Sequence, residues 1–220
     1  MVAVLDQIAR HRLVPVVVAD SVDQGVFIAD ALAEGGLPVA EITFRTPAAP
    51  AAIEAIAERG DMIVGAGTIV SPAQVDVAVA AGARFLVSPG FHPAVADRAA
   101  ALGVPLVPGA VSASEIMAAL AAGISTVKFF PAETSGGLPA LRALAGPFGD
   151  LGFVPTGGID ATNLDAYLAH PQVTAVGGSW MLPRSAVEAR DAATIIRATS
   201  DAVTRVAAFS QAAPAGLPNG

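Results

Sequence analysis

Cysteine is absent from the 220 residues. That excludes disulfides, thiolate zinc sites and cysteine nucleophiles, and it leaves the compartment open on redox grounds. Charge is scarce as well: 14% of residues are charged against 54% apolar, the balance of a well-packed globular protein rather than a disordered one. Basic residues number 12 against 19 acidic ones, so the net charge is -7 and no basic stripe exists to hold a nucleic-acid backbone. A small anion could still be held by local backbone amides. The longest purely aliphatic stretch, LVPVVVA, is far too short to cross a bilayer, and Asp6 stands where a signal peptide needs an apolar region. A cytoplasmic protein without membrane or nucleic-acid partners is expected. Lysine is nearly absent too. Lys128, in the apolar run STVKFFPAE, is the only one, and the other eleven basic side chains are arginines.

What is present is a repeating pattern. Short β-branched runs alternate with alanine-rich amphipathic segments, and the runs cover 13–19, 39–44, 62–68, 85–90, 105–110, 126–131, 153–158 and 175–180. Stretches between them, such as SPAQVDVAVAAGA and SASEIMAALAAGI, begin at Ser with an early Pro, Gln or Glu and end at Gly, as capped helices do. Strand–helix alternation with short loops implies parallel strands and right-handed crossovers. Eight such units without a composition break predict an α/β fold, a single-domain (β/α)8 TIM barrel over residues 1–209. Residues 2–12 read as a helix capping the barrel bottom and 186–209 as the last helix, with a disordered tail over 210–220. A doubly wound open sheet is the alternative, but G-x-G-x-x-G is missing after the first run and GAGT at 65–68 only half resembles it.

Catalytic groups of a barrel gather at the C-terminal ends of its strands. In EITFRT, side-chain alternation puts Glu41, Thr43 and Arg45 on one face, with Ile42 and Phe44 on the other beneath the helices. In TVKFFP, Lys128 and Phe130 share the inward face, and Val127 and Phe129 the outward one. A desolvated lysine near another cation, such as Arg45, becomes a neutral amine able to attack carbonyl carbon, a role arginine cannot take because it stays protonated. A structural ion pair between Lys128 and Glu41 accounts for the same residues equally well. TGGID and VGGSW place paired glycines after the seventh and eighth runs, where such barrels bind phosphate through backbone amides. His11, His92 and His170 are scattered and match no metal-ligand spacing, and His92 reads as a solvated loop residue. No metal and no cofactor are expected, so the lysine must supply the electrophilic activation itself.

The ordered motifs EITFRT, VGAGT, SPG, VKFFPAE, GPF, PTGGI and GGSW resemble the 2-keto-3-deoxy-6-phosphogluconate (KDPG) aldolases across about residues 10–205. The resemblance implies a (β/α)8 homotrimer that cleaves KDPG, a phosphorylated 2-keto-3-deoxy sugar acid of the Entner–Doudoroff pathway, to pyruvate and glyceraldehyde 3-phosphate. It places the Schiff-base lysine at Lys128 and the acid/base glutamate at Glu41. It puts carboxylate binding at Arg45, the pyruvyl pocket at Thr68, Pro89, Phe130 and Thr156, and the phosphate site at Gly157, Gly158, Gly178 and Ser179. Related phosphogalactonate aldolases carry E-I-P-L-N-S and K-I-F-P instead, so Arg45 and Phe129 favour the gluconate enzyme. Ser112 stands where threonine is common, and GFHP is a variable segment. Some family members also cleave 4-hydroxy-2-oxoglutarate, which lacks phosphate. Two further alternatives are a metal-free phosphosugar isomerase, which needs no amine, and a non-enzymatic scaffold.

Overall fold

The structure, a computed structural model, describes residues 3–212. Its elements follow the order read from the sequence. They begin with α1 (Val4–His11), β1 (Leu13–Val17), α2 (Val22–Glu34), β2 (Val39–Thr43), α3 (Ala49–Ala57), β3 (Ile63–Gly67) and α4 (Pro72–Ala80). They continue with β4 (Leu86–Ser88), α5 (Pro93–Ala101), β5 (Leu106–Pro108), α6 (Ala113–Ala121), β6 (Thr126–Val127), α7 (Gly137–Ala145) and β7 (Gly152–Phe153). The chain then passes through α8 (Leu164–Leu168), β8 (Val176–Gly178), α9 (Arg184–Glu188) and α10 (Ala192–Ala212). The segment expected as one helix over 186–209 is therefore split between α9 and α10. Helix α10 runs past the expected start of the tail at 210, and the rest of that tail, 213–220, lies outside the described residues.

Six strands form one curled parallel sheet in the order β5–β4–β3–β2–β1–β8, while β6 and β7 form a separate parallel pair. The eight strands thus do not make one uninterrupted ladder. Isolated parallel bridges join the two sets, at Gly109–Lys128 on one side and at Thr156–Gly177 and Phe153–Val173 on the other. Proline is one physical reason for the interruption, because Pro108, Pro131 and Pro155 have no N–H to donate. The strands are also shorter than the β-branched runs that announced them, and the ends of those runs are turns and loops. Strand β2 stops at Thr43, so Arg45 stands in the following turn rather than on the strand face shared with Glu41.

The helices start by one repeated device. Ser21, Ser71 and Ser112 each accept a hydrogen bond from the amide three residues on, at Gln24, Gln74 and Glu115. The side chains of Gln24, Gln74 and Glu115 return the contact, accepting from the backbone amides of Asp20, Val70 and Val111 at 2.7, 2.7 and 2.9 Å. Each capping box fixes where a helix leaves its loop, and hence where the preceding strand end points. Ser71→Ala should cost about 1 kcal/mol of stability. The measurement is urea unfolding, with a lower midpoint at an unchanged slope. Ile42, Ile53, Val64, Val75 and Leu86 are fully buried where α3 and α4 pack on β2, β3 and β4, each such side chain contributing about 1.5–3 kcal/mol.

Candidate active site

The parity of side chains around Lys128 decides where its amine goes. Val127 and Phe129 are fully buried in the apolar core, which turns Lys128 the other way. Its backbone is held against the end of β5: its amide donates to the Pro108 carbonyl at 2.8 Å, and its carbonyl accepts from the Ala110 amide at 2.9 Å. The neighbouring Phe129 amide donates to Val154 at 3.1 Å, tying the same segment to β7. Lys128 stands just past β6 on a rigid backbone rather than on a mobile loop.

Glu41 projects from the middle of β2, opposite Val16 of β1 and Gly65 of β3. Its carboxylate accepts from the Lys128 ammonium, with Nζ 3.1 Å from Oε1 and 3.4 Å from Oε2. Both residues are buried, Lys128 7% and Glu41 2% exposed. A charge at such depth requires a partner, and each is the other's. The cation expected beside the amine, Arg45, does not pair with it; the neighbour is a carboxylate able to accept the ammonium proton. Lys128 Nζ also lies 5.1 Å from the centre of the Phe130 ring. Room for Glu41 comes from Gly67, where a Cβ would overlap the carboxylate. Thr43, on the Glu41 face, donates at 2.9 Å to the Val17 carbonyl and so knits β2 to β1.

Seven of the sequence-derived site residues come together in one cavity of about 180 Å³. Arg45, Phe130, Thr156, Gly157, Gly158, Gly178 and Ser179 line it with Val16, Val18 and Ile159. Arg45 is exposed there, and among the described residues its guanidinium has no hydrogen bond or ion pair. Gly157 and Gly158 have φ of 100 and 77, backbone that an L side chain adopts only under strain. Their carbonyls are occupied, Gly157 O by the Glu133 amide and Gly158 O by the Asn163 side-chain amide, each at 3.1 Å. Their own amides donate to no group among the described residues. Thr156 fits because Gly177 beside it has no side chain to collide with its hydroxyl.

Glu41 and Lys128 do not line this mouth. They close one end of a second cavity of about 100 Å³, whose walls include Val14, Phe85, Val87 and Val107 and whose far end is Leu5, Asp6, Ile8 and Ala9 of α1. The buried pair therefore borders the inner apolar cavity, while Phe130, its ring centre 5.1 Å from Lys128 Nζ, lines the outer one. Thr68 and Pro89 border neither. Thr68, the first residue after β3, has φ 62, a strained conformation for a β-branched residue that costs about 1–3 kcal/mol. Pro89 is exposed next to Ser88, whose hydroxyl donates to Gly90 O at 2.7 Å. His92 is exposed at the N-terminus of α5 with no side-chain capping bond. Among the described residues no group of three or more His, Cys, Asp or Glu side chains is placed to hold a metal ion, and no helix is long and apolar enough to cross a membrane.

Gly67 was not singled out from the sequence, and Gly177 was read only as one of the paired glycines of VGGSW, yet they make the space for Glu41 and Thr156. Both stand in strands already rich in small residues, IVGAG and VGG, so no local signal set them apart.

A lysine paired with a glutamate beneath an arginine and a double-glycine loop can be compared with known proteins. The family model for KDPG and KHG aldolases matches residues 4–198. The chain belongs to that family. A 2-dehydro-3-deoxy-phosphogluconate aldolase of Treponema pallidum is 48% identical over 87% of this chain and 91% of its own. Among solved structures, the KDPG aldolase of Legionella pneumophila, with pyruvate captured at low pH as a covalent carbinolamine, has a TM-score of 0.88 at 38% identity. It covers 91% of this chain and 98% of that one. The 2-keto-3-deoxy-6-phosphogluconate aldolase of Zymomonas mobilis with 3-phosphoglycerate has a TM-score of 0.86 at 40% identity, covering 90% of this chain and 94% of that one.

Proposed function

We propose that this protein is a class I aldolase that cleaves KDPG to pyruvate and glyceraldehyde 3-phosphate through an imine on Lys128. The observation that carries this reading is the buried Lys128 amine, 3.1 Å from a carboxylate that can take its proton, beneath a mouth built to hold anions. Arg45, without a hydrogen bond or ion pair among the described residues, binds the substrate carboxylate bidentately and fixes the ketone over the amine. The Gly157 and Gly158 amides, with Gly178 and Ser179, hold the distal phosphate, and that binding energy positions the reacting carbon. Phe130 and Thr156 enclose the pyruvyl group, and Thr68 and Pro89, which border neither cavity, join them on the family resemblance alone.

The reaction follows from these placements. Glu41 takes a proton from the Lys128 ammonium, and the neutral amine attacks C2 of the substrate. The protonated Glu41 returns that proton to the carbinolamine hydroxyl, which leaves as water to give a protonated imine and restores the Glu41 carboxylate. Glu41, acting through a water, removes the C4 hydroxyl proton as the C3–C4 bond breaks; that electron pair flows into the imine and forms an enamine. Glyceraldehyde 3-phosphate departs, the enamine carbon is protonated, and hydrolysis returns pyruvate and the free amine.

In this reading the β6–β7 pair and the bridges at its two flanks close the curled sheet into a (β/α)8 barrel over residues 1–209, with α1 as its floor. Alpha helices α4 and α6 and the loops before them present exposed Val70, Val77, Met117 and Leu120, apolar surface that a homotrimer would cover. The protein works in the cytoplasm, in the Entner–Doudoroff pathway. The test is cleavage of KDPG with pyruvate release coupled to lactate dehydrogenase, run beside 4-hydroxy-2-oxoglutarate. Higher kcat/KM for the phosphorylated substrate is expected. Equal or lower values would move the assignment to the oxoglutarate reaction, and inertness toward both would return it to the isomerase or scaffold.

A further inference from the structure

The motif VKFFPAE ends in Glu133, a residue to which the reaction above gives no task. Glu133 begins a single 3-10 turn, Glu133–Ser135, on the way from Lys128 to α7. It touches the double-glycine loop twice. Its amide donates to Gly157 O at 3.1 Å, and its Cβ and Cγ fill the space over Gly158, where an added Cβ would come within 2.7 Å of both. From the other side its carboxylate accepts a short hydrogen bond from the Tyr167 hydroxyl. Tyr167 belongs to α8 and is 1% exposed, so its ring is fixed by packing. Burial first, and then the bond to Glu133, push the Tyr167 pKa well above the ordinary phenol value. The hydroxyl therefore remains a donor throughout the physiological range.

This arrangement handles an electrostatic conflict. A carboxylate beside an anion site would repel a phosphate. The bond to Tyr167 engages one carboxylate oxygen, while the backbone of the same residue orders the loop whose amides donate to no group among the described residues.

We propose that Tyr167 and Glu133 act as a positioning pair for the Gly157–Gly158 loop, and that through it they determine preference for substrates bearing a distal phosphate. The proposal rests on the aldolase reading. Neither residue touches the reacting carbons.

The test is Tyr167→Phe in the full chain, with Glu133→Ala and Glu133→Gln beside it. Tyr167→Phe should raise KM for KDPG by roughly tenfold, the scale of one lost hydrogen bond to a charged group. Its kcat, its cleavage of unphosphorylated 4-hydroxy-2-oxoglutarate and its borohydride-trapped pyruvate adduct should match the parent. Glu133→Ala should behave alike. Glu133→Gln keeps an acceptor for Tyr167 without the charge and should restore the parent KM. An unchanged KM for KDPG, or equal losses on both substrates, would overturn the proposal, and thermal unfolding of each variant identifies losses caused by global destabilisation. Failure of the aldolase reading looks different, because the parent protein itself would then trap no pyruvate.

Discussion

Replacing Lys128 with arginine is expected to abolish cleavage while leaving the fold intact. Arginine keeps the positive charge that Glu41 needs, so the buried carboxylate stays paired and the main electrostatic reason for unfolding is removed. It cannot give up a proton near neutral pH, and its guanidinium forms no imine with a ketone. Turnover should fall by roughly 10⁴-fold or more, the loss that follows when a covalent route is closed. Lys128→Met separates the two functions of the amine. It also removes the nucleophile, but it strands Glu41 in a site where that residue is 2% exposed, and breaking a buried pair in this way costs about 3–5 kcal/mol. The arginine variant should be inactive and near-normal in stability, and the methionine variant inactive and clearly destabilised. Turnover retained by the arginine variant would remove the imine from the mechanism.

Glu41→Gln should lower kcat by about 10²–10⁴-fold, the range supplied by one positioned acid–base group. The amide oxygen can still accept from Lys128, so the local packing around Gly67 survives. What is lost is the group that takes the ammonium proton before attack and the C4 hydroxyl proton during bond breaking. The ligands of the substrate's two anionic ends, at Arg45 and at the glycine loop, are untouched, and KM should change much less than kcat. Steady-state kinetics on KDPG separate the two parameters. A rise in KM at constant kcat would reassign Glu41 from proton transfer to binding.

Much of this site was legible in the sequence because it follows from alternation. Val127 and Phe129 are apolar, so Lys128 had to face the other way, and Ile42 fixed Glu41 by the same argument. The helix starts were legible because Ser21, Ser71 and Ser112 each stand three residues before a side chain able to complete a capping box. Strand lengths were not. A β-branched run continues into the loop that follows it, and nothing local marks Thr43 rather than Phe44 as the last residue of β2; hence Arg45 was placed on a strand face and stands in a turn. Nor does periodicity reveal that β6 and β7 pair apart from the six-stranded sheet, since each forms only two residues of regular ladder. Contacts between distant segments were hidden for the same reason. Tyr167 reaches Glu133 across 34 positions, and Gly67 matters only because Glu41 on the next strand occupies the space its side chain would take.

In the proposed reaction the one lysine of this chain is kept to form a covalent bond with a 2-oxo acid. Borohydride reduction of the protein in the presence of pyruvate, followed by peptide mass mapping, tests it most directly. A stable pyruvyl adduct on the Lys128 peptide, absent without pyruvate and absent from the arginine variant, is the expected result. No adduct on well-folded protein, or an adduct only at the N-terminal amine, would contradict it and leave Lys128 as half of a structural ion pair.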